Sequence, residues 1–184
     1  MSRRNNSYYA ILGLLGFEPM SGYGIKTSVD KGVGYWWEID YKQIYPALKK
    51  MEEEELVTSK EEKHGKRPMS KVYDITKAGL EELKKWLIQP IEPGKEWDKE
   101  LKLKLFFGHH VSVDHIIQHV EKYKEFNVEF LRDIDEIRKS IESEEDTESK
   151  YYRMTTVMNG EIMCKANVEW CNQTLKYLKD NMKT

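Results

Sequence analysis

Apolar and polar positions alternate along this chain in distinct rhythms, and each change of rhythm marks an element. Over residues 5–15, Tyr8, Ile11, Leu12 and Leu15 share one helical face. Gly16 suits the position after a helix end, and Pro19 prevents continuation. Ser21 is an N-cap for a short second helix through about Val29. Gly22 and Gly24 weaken that helix, and close helix–helix approach is a reason for them. Gly32 and Gly34 break the chain before Trp36-Trp37. Asp40 then opens a third helix with Gln43 three residues on, in capping-box fashion. Ile44, Ala47, Leu48 and Met51 follow the i, i+3, i+4, i+7 rule and face inward, which leaves Tyr41, Lys42, Tyr45 and Lys49 on the other side. Pro46 removes one backbone hydrogen bond inside this helix and predicts a bend.

The rhythm then shortens. Leu56-Val57-Thr58-Ser59-Lys60 and Lys71-Val72-Tyr73-Asp74-Ile75 read as paired strands, joined by the basic turn His64-Gly65-Lys66-Arg67-Pro68. Thr76 caps a fourth helix to about Leu87. A helix, a strand, a basic loop and a second strand in that order is the layout of a winged helix. Such a unit can lay one helix in the major groove of double-stranded DNA and a basic hairpin on the flanking phosphates. The candidate DNA-binding residues are therefore Tyr41, Lys42, Gln43, Tyr45 and Lys49 on the helix and Lys66, Arg67 and Lys71 on the hairpin. Each has a plainer role: a solvated helix face, a helix cap for Gln43, and edge-strand charges that block aggregation. The Glu52-Glu53-Glu54-Glu55 run reads as a solvated helix end pointing away from DNA.

Gln89-Pro90-Ile91-Glu92-Pro93-Gly94 is a linker by composition, so the expected division is residues 1–89 and 90–184. The second part reads as all-helical. A short helix covers Lys99 to Phe107. Ser112 caps a long one to about Ser143, with Ile116, Val120, Tyr123, Asn127, Phe130, Ile134, Ile137 and Ile141 in heptad spacing. Asn127 is the polar member that fixes register. A last helix, about Lys150 to Met182, continues the spacing through Val157, Cys164, Val168, Cys171, Leu175 and Leu178. Met154, Met158, Ile162, Ala166 and Trp170 form its second apolar face. A helix apolar on two faces packs on its own domain and on something else. The Val157-to-Leu178 seam is the expected dimerisation surface. The fold class is thus mainly α: an N-terminal winged helix-turn-helix with a two-stranded wing, then an all-α dimerisation domain with long helices.

Charge refines this picture only a little. The chain of 184 residues has net charge −2. Residues 1–90 carry 15 Lys+Arg against 13 Asp+Glu, and residues 91–184 carry 15 against 19. Strongly basic domains are the usual footprint of DNA binding, so placement of charge rather than its amount carries the argument. No stretch approaches the ~20 apolar residues of a membrane span. Ser2-Arg3-Arg4 before Ala10-to-Leu15 imitates a signal peptide but lacks a small-x-small cleavage site, and a cytoplasmic location is expected. Cys164 and Cys171 lie about 10 Å apart along a helix, too far to bridge, and are expected as buried thiols. His115 and His119 stand one turn apart, but Ile116-Ile117-Gln118 replaces the intervening glutamate of a zinc protease motif, so no metal is expected. No nucleophile motif, phosphate loop or carboxylate pair is present, and neither enzymatic activity nor a cofactor is expected.

Several segments together resemble the PadR-type transcriptional regulators, in the branch with a long Vir-type helical C-terminal domain. They are Ile11-Leu12-Gly13-Leu14-Leu15, Pro19-Met20-Ser21-Gly22-Tyr23-Gly24-Ile25, Gln43-Ile44-Tyr45-Pro46-Ala47-Leu48 and Tyr73-Asp74-Ile75-Thr76-Lys77-Ala78-Gly79, with Glu100 to Gly108 and Trp170 in the second half. The resemblance implies a homodimeric repressor on a pseudo-palindromic operator, dimerised through its C-terminal helices, and makes Pro46 a usual feature of the third helix. Some members of that family sense phenolic acids or flat hydrophobic drugs. An aromatic effector here would meet Trp97, Phe107 or Trp170, which otherwise serve as core. The competing reading is a helical dimeric adaptor whose winged helix binds protein.

Overall fold

The computed structural model describes residues 6–31, 41–62, 69–92 and 97–182. The chain divides into two compact units, Met1–Val111 and Ser112–Thr184.

The first unit is built around α1 (Asn6–Leu15). Its residues from Tyr8 to Leu15 are all buried, because α2 (Gly22–Lys31), α3 (Tyr41–Glu53), α4 (Lys77–Ile88) and α5 (Trp97–Phe106) surround it. That is why its sequence is apolar nearly all round rather than striped. α3 shows the expected stripe, with Ile44, Leu48 and Met51 at most 2% exposed. Its end is set by Glu55, the one described non-glycine residue with positive φ (58°), and by the Leu56 amide donating to Met51 O at 2.8 Å. β2 (Val57–Glu62) and β3 (Ser70–Ile75) pair antiparallel from Val57↔Ile75 to Glu62↔Ser70. A two-residue strand, β1 (Met20–Ser21), adds to β3 on the other side, giving the order β1-β3-β2.

Thr76 caps α4 as the sequence indicates. Its hydroxyl accepts from the Gly79 amide at 3.0 Å and donates to Glu55 O and Leu56 O. Gly79 is required by space: a Cβ there would stand 2.1 Å from Leu56 O. Tyr9 stacks on Trp86 with centroids 4.7 Å apart. α5 closes the core with Leu103 and with Phe107 just past its end, and the Phe107 ring occupies the space beside Gly13 where a Cβ would sit 2.7 Å from it. Lys104 is fully buried, and its ammonium satisfies the last carbonyls of α4 by donating to Trp86 O at 2.7 Å and to Gln89 O.

These contacts place the division by packing at residues 111/112 rather than at 89/90. The Pro- and Gly-rich segment is a loop, but Leu103 and Phe107 beyond it belong to the core of the first unit.

The second unit is a hairpin of α6 (Val113–Glu142) and α7 (Glu148–Asn181). Ser112 caps α6 through the Asp114 amide, and Thr147 caps α7 through Lys150. The cross-helix pairs Glu121–Lys179, Asn127–Asn167 and Arg138–Glu161 descend on one helix as they rise on the other, so the pairing is antiparallel. Gly160 lets the helices approach at Ile134. Asn127, 2% exposed, donates to Tyr123 O at 2.7 Å and accepts from Asn167 at 3.0 Å.

The heptad seam requires a correction. Val157 and Cys164 pack with Ile134 and Ile141 of the same chain, and Cys171 and Leu175 are buried as well. Val168 and Leu178 are half-buried on the same face, so the expected dimerisation residues line a seam packed within the chain. On α6 the seam drifts, because 3.5 and 3.6 residues per turn differ: Phe130 and Ile137 are 41% and 49% exposed.

Candidate nucleic-acid interface

α2 and α3 form a helix-turn-helix, backed by the sheet that follows α3. Lys42, Gln43, Tyr45 and Lys49 of α3 are all exposed, Gln43 on the side that lines a groove toward α1 and the other three on the outward face. Lys42, Tyr45 and Lys49 are three and four residues apart and therefore neighbours on one face. Tyr45 is 62% exposed, a large aromatic left outside the core beside two cations. Tyr41 begins α3, but its side chain lies outside the described residues, as do Lys66, Arg67 and Asp40. Pro46 sits inside α3 and, with Lys42, Gln43 and Ala47, faces Ser7, Tyr8 and Ile11 of α1 across a groove of about 190 Å³.

Lys71 is placed on β3, where its ammonium lies 2.7 Å from Glu52 of α3. Glu52 also accepts from the Ser59 hydroxyl at 2.5 Å. The Lys71 and Ser59 hydrogen bonds hold the Glu52 carboxyl below its usual range, and Glu52 in turn raises the Lys71 ammonium. Lys49 stands 3.8 Å from Glu53. Glu54 accepts from the Tyr8 hydroxyl at 2.6 Å. The acidic run is thus more than a solvated helix end: Glu52 and Glu54 tie α3 to the sheet and to α1.

The three aromatics considered for an effector have different settings. Phe107 is 0% exposed and fills the first unit's core, Trp97 is 8% exposed, and Trp170 is half-buried in the second unit, edge-on to Tyr123 with centroids 6.2 Å apart. His119 is buried at 5% while His115 is half-buried, and among the described residues no group of three His, Cys, Asp or Glu is placed to hold a metal. Both cysteines are free and buried, and burial pushes the Cys171 thiol up to about 11. No described helix is long and apolar enough to cross a membrane. Sequence reasoning did not assign Gly79 or the Glu52–Lys71 pair. The glycine had a signal in its place three residues after a capping threonine, whereas the ion pair joins residues 19 apart and had none.

A helix-turn-helix whose second helix is followed by an antiparallel hairpin, with a third short strand completing the sheet, defines a winged-helix protein. Residues 11–85 match the model of the transcriptional regulator PadR-like family and residues 99–179 that of the virulence activator alpha C-terminal domain. The chain belongs to the PadR-like family of transcriptional regulators. It is 40% identical over 102 residues to the negative transcriptional regulator PadR of Bacillus subtilis, a match covering 54% of each chain. It is 35% identical over 85 residues to a probable transcriptional regulator of Mycobacterium tuberculosis, covering 46% of this chain and 45% of the relative. These matches span about half the length of those relatives. Among solved structures, it is similar to Bacillus subtilis PadR in complex with operator DNA, at 27% identity over 96% of this chain and 99% of that one, with a TM-score of 0.47.

Proposed function

We propose that this chain is a sequence-specific DNA-binding transcriptional regulator that acts as a homodimeric repressor. The observation that carries the reading is the outward face of α3, where Lys42, Tyr45 and Lys49 stand exposed on the second helix of a helix-turn-helix, with Gln43 exposed on its flank. Amide, phenol and ammonium groups on such a face suit base edges and phosphates. Lys66 and Arg67, in the sequence between β2 and β3, supply further phosphate contacts, and Lys71 does so from β3 itself.

The second copy binds α6 and α7 on their outer surface, since the heptad seam is filled from within the chain. Phe126, Phe130 and Ile137 on α6 and Met158, Ile162 and Met163 on α7 are each between 38% and 62% exposed, and exposed apolar side chains gathered on long helices suit an interaction site. Two recognition helices related by the dimer axis then read half-sites about 34–36 Å apart. A small aromatic effector that favours another spacing lowers DNA affinity by reciprocity. Of the three aromatics considered, Phe107 is locked in packing and Trp170 retains exposed surface for such a ligand.

The test is duplex binding measured across a salt series. Affinity is expected to fall linearly on a log–log plot, with a slope of about −0.9 per phosphate neutralised. Absence of duplex binding, or affinity indifferent to salt, overturns the reading in favour of the protein-binding adaptor.

A further inference from the structure

Gly22 opens α2 and is buried directly beneath Tyr45. A Cβ on Gly22 would stand 2.7 Å from Tyr45 Cε1, 2.8 Å from Cζ and 3.1 Å from the hydroxyl oxygen. The far end of the phenol ring therefore rests on the Gly22 backbone, although the side chain as a whole is 62% exposed. One part of the ring is braced and the rest is open to an incoming ligand. The brace is itself anchored. Ser21 pairs with Val72 of β3, and its hydroxyl accepts from the Gly24 amide at 3.1 Å, so the chain on both sides of Gly22 is held by the sheet and by the helix cap. An unbraced exposed tyrosine exchanges among staggered rotamers and must be ordered when it binds. Here that ordering is present beforehand.

We propose that Gly22 is a positioning residue for DNA reading. Its missing side chain lets the Tyr45 ring lie on the first turn of α2, which holds the phenol hydroxyl in one place for a base edge. Gly22 itself touches no DNA. This inference rests on the reading of α3 as the recognition helix, and the experiment separates failure of the two. The plainer role for Gly22 is tight helix packing, in which case its substitution costs stability and leaves selectivity intact. The geometry bears on this directly, because the atoms an added methyl would strike are the far end of an exposed side chain, which can be displaced into solvent without breaking the backbone packing.

The variants are Gly22→Ala, Tyr45→Ala and the two combined. The probes are a duplex selected by the native protein from a random-sequence library and a scrambled duplex of equal length. Gly22→Ala is expected to lower affinity for the selected duplex about tenfold and for the scrambled one hardly at all, the scale of one base-edge contact. Its thermal midpoint is expected to stay level or rise, since alanine favours helix over glycine. Tyr45→Ala is expected to lose the same selectivity, and the double variant no more than either single one. If Tyr45→Ala loses selectivity and Gly22→Ala does not, the positioning role is overturned and the reading of α3 stands. Additive losses, or a fall in midpoint with equal loss on both duplexes, overturn it too. If Tyr45→Ala binds both duplexes as the native protein does, or if no duplex is selected, the assignment of Tyr45 and this inference fall together.

Discussion

Gly79→Ala should destabilise the first unit sharply, and the size of the effect follows from the contacts. The added methyl would stand 2.1 Å from Leu56 O, 2.9 Å from Ile75 Cγ1 and 3.0 Å from Leu56 C. Carbon and carbonyl oxygen in contact sit no closer than about 3.3 Å, so the Leu56 carbonyl must retreat by about 1 Å. That carbonyl accepts from the Thr76 amide at 3.0 Å and from the Thr76 hydroxyl at 3.1 Å, and both bonds stretch together. Crowding of this kind costs ~1–3 kcal/mol, and loosening a buried hydrogen bond adds ~1 kcal/mol. The backbone φ of Gly79 lies outside the left-handed region, so alanine recovers ~1 kcal/mol of helix propensity. The net expectation is a loss of about 2 kcal/mol, or a urea midpoint lower by about 1 M. Tryptophan fluorescence in a Trp170→Phe background isolates the first unit, where all the other tryptophans lie. A loss below about 0.5 kcal/mol, within the range of an ordinary surface change, would show that the α4 turn yields freely and that the close approach is not what the glycine is for.

Asn127→Ala should cost about 1–3 kcal/mol by leaving Asn167 without its buried partner, whereas Leu at both positions should be nearly neutral in thermal melts; equal losses would refute a paired role. Phe130→Asp with Ile162→Asp should yield monomers in light scattering, and a full dimer would move the interface off the outer surface. Burial, then His109 and Lys84, depress the His110 imidazole below its usual value. The neutral form is therefore the one the fold favours, so stability is full above about pH 6.5 and is lost as the pH falls from there through the depressed value. His110→Phe should flatten that part of the pH–stability curve, and an unchanged curve would assign the acid sensitivity elsewhere.

α1, α3 and α4 were legible because amphipathic spacing and local signals such as Thr76 act within a few residues of where they stand. β1 was not: two residues show no alternation, and Ser21 was already accounted for as a helix cap. The 89/90 boundary rested on Pro and Gly, which report a loop but say nothing of where Leu103 and Phe107 pack next. The seam through Val157, Cys164, Cys171 and Leu175 was legible as an apolar face, and within the chain it is α6 that covers it. Heptad spacing states that a helix is needed opposite, and α6 of the same chain meets that need before a second copy can. On the proposed DNA-reading face, the exposed side of α3 followed from the same periodicity, while the contact of Tyr45 with Gly22 joins two elements and left no periodic trace.

The pairing of Lys71 with Glu52 and of Lys49 with Glu53 turns two cations into halves of ion pairs. On the proposed DNA surface, a phosphate reaching either ammonium exchanges one anionic partner for another instead of meeting a bare charge. The attraction gained is reduced by the attraction given up, and fewer counterions leave the duplex than the number of lysines suggests. A random duplex offers phosphates alone and gains little from such an exchange. An operator adds base edges that no carboxylate of the protein can imitate. On the proposed reading, the acidic end of α3 would hold down background binding along a chromosome, where competing sites are so numerous that the ratio of specific to random affinity matters more than affinity itself.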